Sequence, residues 1–138
     1  MAAPMFTERE YRHLHARGRG RLTSIGPGDT PQIHPVTFVV ASASACVEVF
    51  GRHLRDTQKY RNLRRDPRVT LVVDDGSSPP LGPDRERGQV VEIHGVAELA
   101  EAAWPAERGY GTDIVRVRPI RVDAWNLDTP GHSSRFVD

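Results

Sequence analysis

The chain has 138 residues, of which 38% are hydrophobic and 27% charged, and its formal net charge is +1. A chain of this length and composition is predicted to form a single globular domain. A net charge this close to zero does not demand a polyanionic partner such as nucleic acid. The single cysteine, Cys46, excludes an internal disulfide framework. The sequence contains neither the apolar core of a signal peptide nor a run of about 18 apolar residues. We therefore expect a cytoplasmic protein without a membrane partner.

A helix is predicted near the start of the chain. Thr7 and Glu10 have the spacing of a capping box, in which each side chain bonds the backbone of the other residue. Gly18 and Gly20 are expected to end this helix. Residues 26–29, Gly-Pro-Gly-Asp, then predict the tight turn of a β-hairpin.

Six β segments are predicted from β-branched and aromatic runs. They span residues 21–25, 32–40, 46–50, 69–73, 89–99 and 113–125. Pro35 cannot donate a hydrogen bond to a neighbouring strand and so marks an edge or a bulge, whereas Pro119 is expected to split the last segment. Six or seven short strands, one or two short helices and frequent turns predict a mainly β protein, a closed antiparallel barrel.

Two connections are expected to be irregular. Residues 77–87 are rich in proline, glycine and serine, and predict an exposed loop that is the best candidate for disorder. Residues 100–111 are too short and too interrupted by glycine and proline for a long helix, so they can hold at most a turn.

The segment from Arg55 to Arg68 concentrates positive charge, with six basic residues against two aspartates. Thr57 and Lys59 lie beside the predicted start of a helix over residues 56–65. Because the free N–H groups and the dipole at a helix start favour anions, the segment predicts a phosphate clamp. The alternative is an ordinary solvated helix face, and the residues alone leave both interpretations open.

The strand around His34 is the second candidate site. A planar ring system needs a flat apolar surface with a few polar groups at its rim, and a strand interrupted by Pro35 can supply both. The alternative is an ordinary edge strand in which His34 makes a structural hydrogen bond.

Other kinds of site have little support in the sequence. The histidines, at positions 13, 15, 34, 53, 94 and 132, form no recognised metal-binding motif, so no metal is expected. Serine residues lack a nucleophile-elbow context, and no dinucleotide-binding or P-loop motif is present. No catalytic residue is identified, although His34 or His53 is the best guess for a proton donor. A bound redox cofactor would therefore have to supply any difficult chemistry.

The order of the motifs resembles that of the pyridoxamine 5′-phosphate oxidase-like (FMN-binding split-barrel) family, and most closely its actinobacterial deazaflavin-dependent branch. The motifs that carry the resemblance are residues 19–25 (Arg-Gly-Arg-Leu-Thr-Ser-Ile), 31–38 (Pro-Gln-Ile-His-Pro-Val-Thr-Phe), 59–69, 87–98 and 117–125. The resemblance covers most of residues 5–127 as a cofactor-binding domain and leaves residues 128–138 as a C-terminal tail.

The resemblance implies a six-stranded antiparallel split β-barrel that forms a homodimer, with two cofactor sites between the subunits. The residues implied to bind the cofactor are His34, Pro35, Val36, Thr37, Gly51, Arg52, His53, Thr57 and Lys59. Thr57 and Lys59 would hold the phosphate, and the strand from His34 to Thr37 would lie along the ring system. Arg118, Arg121 and Trp125 would contribute from the opposite subunit.

The resemblance also implies an oxidoreductase. The leading hypothesis is hydride transfer from a reduced deazaflavin, coenzyme F-420, to a small unsaturated or conjugated acceptor. The alternatives are an FMN-dependent oxidase or reductase and a non-catalytic flavin- or heme-binding protein, because the family contains all of these and the fold alone does not assign chemistry. Many relatives have a longer helix where this chain has residues 100–111, which implies a pocket that is more open or is closed by the C-terminal tail.

Overall fold

The structure is a computed structural model, and it describes residues 5–41, 46–76 and 88–137. Its helices and strands follow in chain order. They are α1 (Glu8–Arg17), β1 (Arg19–Ile25), β2 (Pro31–Ala41), β3 (Cys46–Phe50), α2 (Gln58–Arg65), β4 (Arg68–Asp74), β5 (Val90–Glu101), α3 (Trp104–Glu107), β6 (Asp113–Trp125) and β7 (His132–Phe136). Short 3-10 helices lie at Pro27–Asp29 and Leu54–Asp56.

The strands form one antiparallel sheet in the order β3-β2-β1-β4-β5-β6-β7. An additional pairing of β3 with β6 joins the two sides of this sheet and closes β1 to β6 into a six-stranded barrel. The prediction of a mainly β protein with a closed antiparallel barrel is confirmed. The tail predicted after residue 127 contains β7, which extends the sheet beyond β6.

The barrel interior is filled by the inward-facing residues of each strand. In β4 the buried positions Val69, Leu71 and Val73 alternate with partly or fully exposed ones, as the period of two in a strand requires. Leu14 of α1 and Leu63 of α2 are buried in the same core. Each helix therefore contributes its apolar side to the core.

The ends of α1 confirm the predicted caps. The Thr7 side chain accepts a hydrogen bond from the Glu10 backbone, the Glu10 side chain accepts one from the Thr7 backbone, and Gly18 ends the helix in the left-handed region with φ 65°. A buried contact of 2.8 Å between His13 Nε2 and the Val73 carbonyl oxygen attaches α1 to the end of β4.

The predicted break in the last strand is wrong. β6 continues through Pro119, and a register shift between His94 and Gly95 of β5 absorbs the irregularity. A Cβ atom on Gly95 would lie 2.2 Å from the Arg118 carbonyl oxygen, so only glycine permits the strands to approach so closely here. The bulge therefore takes the place of the expected interruption.

The two irregular connections have different outcomes. The predicted loop at residues 77–87 lies outside the described residues. In residues 100–111, β5 continues to Glu101 and the rest contains only α3, a helix of four residues, so the prediction that no long helix forms here is confirmed. No helix in the described parts of the chain is long and apolar enough to span a membrane.

A buried carboxylate attaches β7 to the barrel. Arg121 Nε donates to Asp123 Oδ2 at 3.2 Å, and His132 Nε2 lies 3.2 Å from Asp123 Oδ1. His94 Nε2 lies 2.7 Å from Glu92 Oε1 and 3.0 Å from Asp123 Oδ2, at angles that make neither contact a hydrogen bond. This meeting of a histidine with two carboxylates was not predicted from the sequence.

The ionisation of Asp123 depends on this cluster. Burial acts to raise the pKa of its carboxyl group, but hydrogen bonds from Ser134 and His132 and the charges of Arg121 and His94 outweigh burial and lower the pKa below its ordinary value of 3.8. The ionised carboxylate therefore adds to the free energy of unfolding at any pH above the ordinary pKa of 3.8. This stabilisation is lost as the pH falls through the lowered pKa of the folded state.

We expect Asp123→Asn to lower the free energy of unfolding at pH 7 by about 1–3 kcal/mol, because the donors around this buried position lose a charged acceptor. The difference from the wild type should shrink as the pH falls below about 3.8. Urea denaturation between pH 2.5 and 7 measures both effects. Glu107→Gln, at an exposed acid in α3, is the matched control, and a difference that is independent of pH would contradict the role assigned to the Asp123 carboxylate.

Candidate functional site

The end of β3 and the start of α2 form one corner of the barrel. β3 stops at Phe50, and the chain then turns through Gly51 and through His53, whose backbone is in the left-handed region with φ 51°. Thr57 is the N-cap of α2: its hydroxyl accepts a hydrogen bond from the Tyr60 backbone and donates one of 2.6 Å to the Leu54 carbonyl oxygen. The helix start predicted at this position is confirmed.

A pocket of about 330 Å³ opens beside this corner, and we call it the phosphate pocket after the ligand predicted for this corner from the sequence. Its walls come from β1, β2, the end of β3 and the first turn of α2. The lining residues are Arg19, Gly20, Pro35, Val36, Thr37, Phe50, Gly51, Arg52, Leu54 and Lys59. Six of the nine residues predicted to bind a cofactor are therefore neighbours around one cavity.

The other three predicted residues lie elsewhere. Thr57 does not line the pocket, since its hydroxyl is used within the chain to cap α2. His53 is exposed and lines an adjoining pocket of about 650 Å³ with Arg55 and Tyr110. His34 is half-buried on the side of β2 that faces the core, and its Nδ1 atom is buried with no hydrogen-bond partner among the described residues.

Most of the basic segment is occupied by contacts within the chain. Arg55 pairs with Asp113 at 2.8 Å, Arg68 pairs with Asp66 at 2.6 Å, and Arg65 donates to backbone carbonyl oxygens of the β1–β2 turn. The pairing with Arg68 lowers the pKa of Asp66 to about 2. The segment is therefore not a clamp of six free cations, as its composition suggested.

Lys59 differs from these arginines. It is half-buried in the wall of the phosphate pocket, and burial lowers the pKa of its ammonium group. Within the described ranges of the chain, no carboxylate forms an ion pair with Lys59, and the same is true of Arg19 and Arg52 in the same wall. Because burying an unpaired charge is costly, this arrangement favours binding of an anion that supplies the missing partner.

Two further features of the pocket suit an anionic ligand with an apolar part. A Cβ atom at Gly51 would meet nothing within 4 Å, so the backbone there is open to an approaching group. Val36 and Phe50 are buried apolar residues in the same wall. The cavity thus combines cationic groups with an apolar surface.

An aromatic cluster that was not predicted from the sequence adjoins the pocket. Phe50 packs edge-on against Trp104, with ring centroids 4.9 Å apart, and against Tyr110, at 5.1 Å. Buried Glu48 accepts a hydrogen bond from Trp104 Nε1 at 3.0 Å and another from Arg116 Nε at 3.0 Å. The bond from Trp104 attaches α3 to β3, and the bond from Arg116 attaches β6 to β3. The only sequence feature that could have indicated the contact between Glu48 and Trp104 is the position of Glu48, a charged residue within an otherwise apolar strand.

The described part of the C-terminal tail does not close the pocket. It covers residues 128–137 and contains β7, and none of these residues lines the phosphate pocket. Trp125, considered from the sequence as a contact to a partner subunit, stacks on His132 with ring centroids 4.7 Å apart.

The closed antiparallel barrel thus has a pocket lined by cationic side chains in its wall. A family model described as pyridoxamine 5′-phosphate oxidase matches residues 7–125. A 5a,11a-dehydrotetracycline/5a,11a-dehydrooxytetracycline reductase from Streptomyces rimosus subsp. rimosus is 32% identical over 124 residues, which cover 89% of this chain and 84% of that reductase. The chain belongs to the pyridoxamine 5′-phosphate oxidase family, and its enzyme class is oxidoreductase.

Solved structures agree on the fold. A heme-binding protein from Mycobacterium smegmatis has a TM-score of 0.66 at 19% identity, covering 93% of this chain and 57% of that chain. An F420 reductase has a TM-score of 0.61 at 21% identity, covering 83% of this chain and 95% of that chain. At these identities the likeness extends to the barrel alone, and the ligands of the two neighbours differ.

The Lys59 ammonium group should reduce the stability of the free protein. The pKa of Lys59 in the folded state is lower than its ordinary value of 10.5, which applies to the unfolded chain. At pH 7 the ammonium group is charged in both states, and its burial lowers the free energy of unfolding. This cost is lost as the pH rises from the lowered pKa to 10.5. We expect Lys59→Met to raise the free energy of unfolding by up to about 1 kcal/mol, a small figure because solvent screens a half-buried charge.

Urea denaturation of the ligand-free protein at pH 7 measures this effect. Arg61→Met is the matched control, because Arg61 is exposed on the same helix and bonds the Asp56 carbonyl oxygen and Gln58 Oε1. A loss of more than about 1 kcal/mol in Lys59→Met would mean that the ammonium group stabilises the free fold.

Proposed function

We propose that this protein is a homodimeric reductase that binds a deazaflavin of the F-420 type and reduces a small unsaturated or conjugated acceptor. The observation that supports the proposal most strongly is the half-buried Lys59, which has no acidic partner among the described residues, in the wall of an open pocket. An anionic ligand offsets the cost of that charge, and a cofactor with a phosphorylated chain is such a ligand.

The residues present fit the proposed cofactor. Lys59, Arg52 and Arg19 would hold its phosphate, and the open backbone at Gly51 leaves room for the adjoining chain. Pro35 and Thr37, both exposed on the outer side of β2, would lie along the ring system. When bound, a reduced deazaflavin supplies a hydride for transfer to the acceptor.

The protein would mainly bind and orient the two reactants. Phe50 and Val36 supply an apolar wall that excludes water from one side of the site. His53 is better situated than His34 to deliver a proton, since it is exposed beside the site whereas His34 lies on the core-facing side of β2.

The type of acceptor is proposed from the reductase relative. Its name specifies a 5a,11a-dehydro substrate, which indicates a carbon–carbon double bond as the reduced group. A conjugated double bond accepts a hydride more readily than an isolated one because the adjoining carbonyl group can take up the negative charge. We therefore propose a conjugated acceptor for this protein also.

The proposed cofactor can be distinguished from FMN by titration. FMN and the deazaflavin both have a phosphate-bearing ribityl chain, so the phosphate pocket alone does not discriminate between them. Titration of the purified protein with F-420 and with FMN, read by fluorescence, separates the two. Tighter binding of F-420 is expected, whereas exclusive binding of FMN would contradict the deazaflavin assignment.

We expect Lys59→Met to weaken F-420 binding by about 1.5–3 kcal/mol, roughly 10- to 150-fold in Kd, because a charge-assisted hydrogen bond to the phosphate is lost. Fluorescence titration measures the change. Arg64→Met is the control, since Arg64 lies over the Tyr60 ring and outside the pocket. Equal affinity of Lys59→Met and the wild type would refute the phosphate assignment.

The proposed dimer is supported by exposed apolar residues on the outer surface of the sheet. Ile33 is 64% exposed and Phe136 is 74% exposed. Cross-strand pairing through Thr23, Thr70, His94 and Arg121 connects them in one row around the barrel, so both side chains project outward from it. Exposed apolar groups on one face are typical of an interaction surface.

We expect Ile33→Asp to convert a dimer into a monomer and to weaken F-420 binding, since Ile33 is two residues from Pro35 in the pocket wall. A charge buried in an apolar interface strongly opposes association. Light scattering coupled to size-exclusion chromatography measures the mass. Arg12→Asp, on the exposed side of α1, is the control, and a wild-type protein that is monomeric at all concentrations would contradict the proposed dimer.

A further inference from the structure

A second cavity, of about 530 Å³, adjoins the phosphate pocket, and we call it the slot. It lies between α1 and the second half of β2. Its lining residues are Tyr11, Leu14, His15, Arg17, Gly18, Arg19, Thr37, Phe38, Val39, Val40, Phe50 and Arg108. Arg19, Thr37 and Phe50 are common to both cavities, so a molecule in the slot would lie directly beside one in the phosphate pocket.

The slot has a stacked aromatic pair on its α1 side. Tyr11 and His15 lie one turn apart on α1, and their rings are stacked with an interplanar angle of 9° and centroids 5.8 Å apart. Across the slot, β2 contributes aliphatic and aromatic side chains of Phe38, Val39 and Val40. Two apolar walls of this kind favour a planar ligand, because a flat conjugated molecule can contact both.

The slot also contains three arginines and no carboxylate. Arg108 lies over the Trp104 ring at 5.3 Å and the Phe50 ring at 5.9 Å, so aromatic faces hold the guanidinium group and leave its N–H edges available. Arg17 has only a 3.5 Å contact with the Asp75 carbonyl oxygen. In the described ranges, neither Arg17, Arg19 nor Arg108 forms an ion pair with an acid.

This lack of pairing distinguishes the slot from the surface around it. Arg12, on the same helix as Arg17, pairs with Glu8, and Arg21, two residues after Arg19, pairs with Asp74. Arg118 likewise pairs with Glu98. Acidic residues thus neutralise many surface arginines of this barrel but not those of the slot, so a bound anion has cations available there.

We propose that the slot is the acceptor site of the enzyme, and that the acceptor is a flat, conjugated anion of two or more fused rings, such as an aromatic carboxylate or an ionised enol. The proposal rests on the proposed function, since it needs a cofactor in the adjoining pocket. Arg108 and Arg17 bind the anionic group, and the stacked pair Tyr11–His15 binds the ring system.

The same cations suit the chemistry of a conjugated acceptor. When a hydride adds to the carbon end of such a conjugated double bond, the electron pair of that bond moves onto the conjugated oxygen, and a proton from solvent then completes the reduction. A guanidinium group already positioned by aromatic rings stabilises the negative charge on that oxygen without reorganisation. Arg19 lies in both cavities and therefore beside the point where the two ligands meet.

The test uses the ligand-free full-length protein and a matched pair of probes. Anthraquinone-2-carboxylate is flat and anionic, and anthraquinone-2-carboxamide has the same rings without the charge. Isothermal titration calorimetry gives the Kd of each. We expect the wild type to bind the carboxylate more tightly than the amide, and Arg108→Met to weaken carboxylate binding about tenfold or more with little effect on the amide.

Three variants locate the binding. Tyr11→Ala should weaken both probes, because stacking does not depend on charge, and Arg12→Met should change neither. Lys59→Met should leave the carboxylate affinity unchanged while it weakens F-420. Equal loss of carboxylate affinity in Lys59→Met would overturn the assignment, since the probe would then occupy the phosphate pocket, and so would an unchanged Kd in Arg108→Met.

The same titrations separate this inference from the proposed function. A protein that binds F-420 but shows no dependence of probe binding on Arg108 contradicts the acceptor site alone. A protein that binds neither F-420 nor FMN contradicts the proposed function, and with it the acceptor role, even where the slot still binds the carboxylate.

Discussion

The pairing of β3 with β6 is the constraint on which the rest of this structure depends. It joins Val47 to Val117 and Val49 to Val115, and it closes the sheet into a barrel with buried valines on both strands. Closure also brings the connection that follows β5 against the end of β3, where Glu48 binds the Trp104 ring nitrogen. Phe50, the last residue of β3, thereby becomes a wall of both the phosphate pocket and the slot. Without this pairing the two cavities would not share a boundary.

The distribution of ion pairs indicates which surfaces are available to ligands. Arg55, Arg68 and Arg118 are neutralised by neighbouring acids, and such exposed pairs add little stability but remove free charge from the surface. Lys59 and Arg108 have no acidic partner in the described regions, and each borders a cavity. A positive net charge of only one is therefore compatible with a strongly cationic site, because the acids are placed elsewhere.

Much of the local structure could be predicted because it depends on short-range chemistry. The capping box at Thr7, the end of α1 at Gly18, the helix start at Thr57 and the strand around Pro35 each follow from residues close together in the chain. The prediction of a break at Pro119 was wrong because the outcome depends on a residue far away in the chain. Gly95 has no side chain, which permits a bulge that keeps β6 continuous.

The sequence by itself determined the class of fold, the family and the region that contains the candidate site, because strand periodicity, caps and motif order are written in neighbouring residues. Only the tertiary structure decided which charges remain unpaired, which way His34 faces, and that α1 and Arg108 meet at β2 and β3 to form a second cavity. These properties depend on contacts between residues far apart in the chain, and burial and ion pairing do not exist until those contacts form.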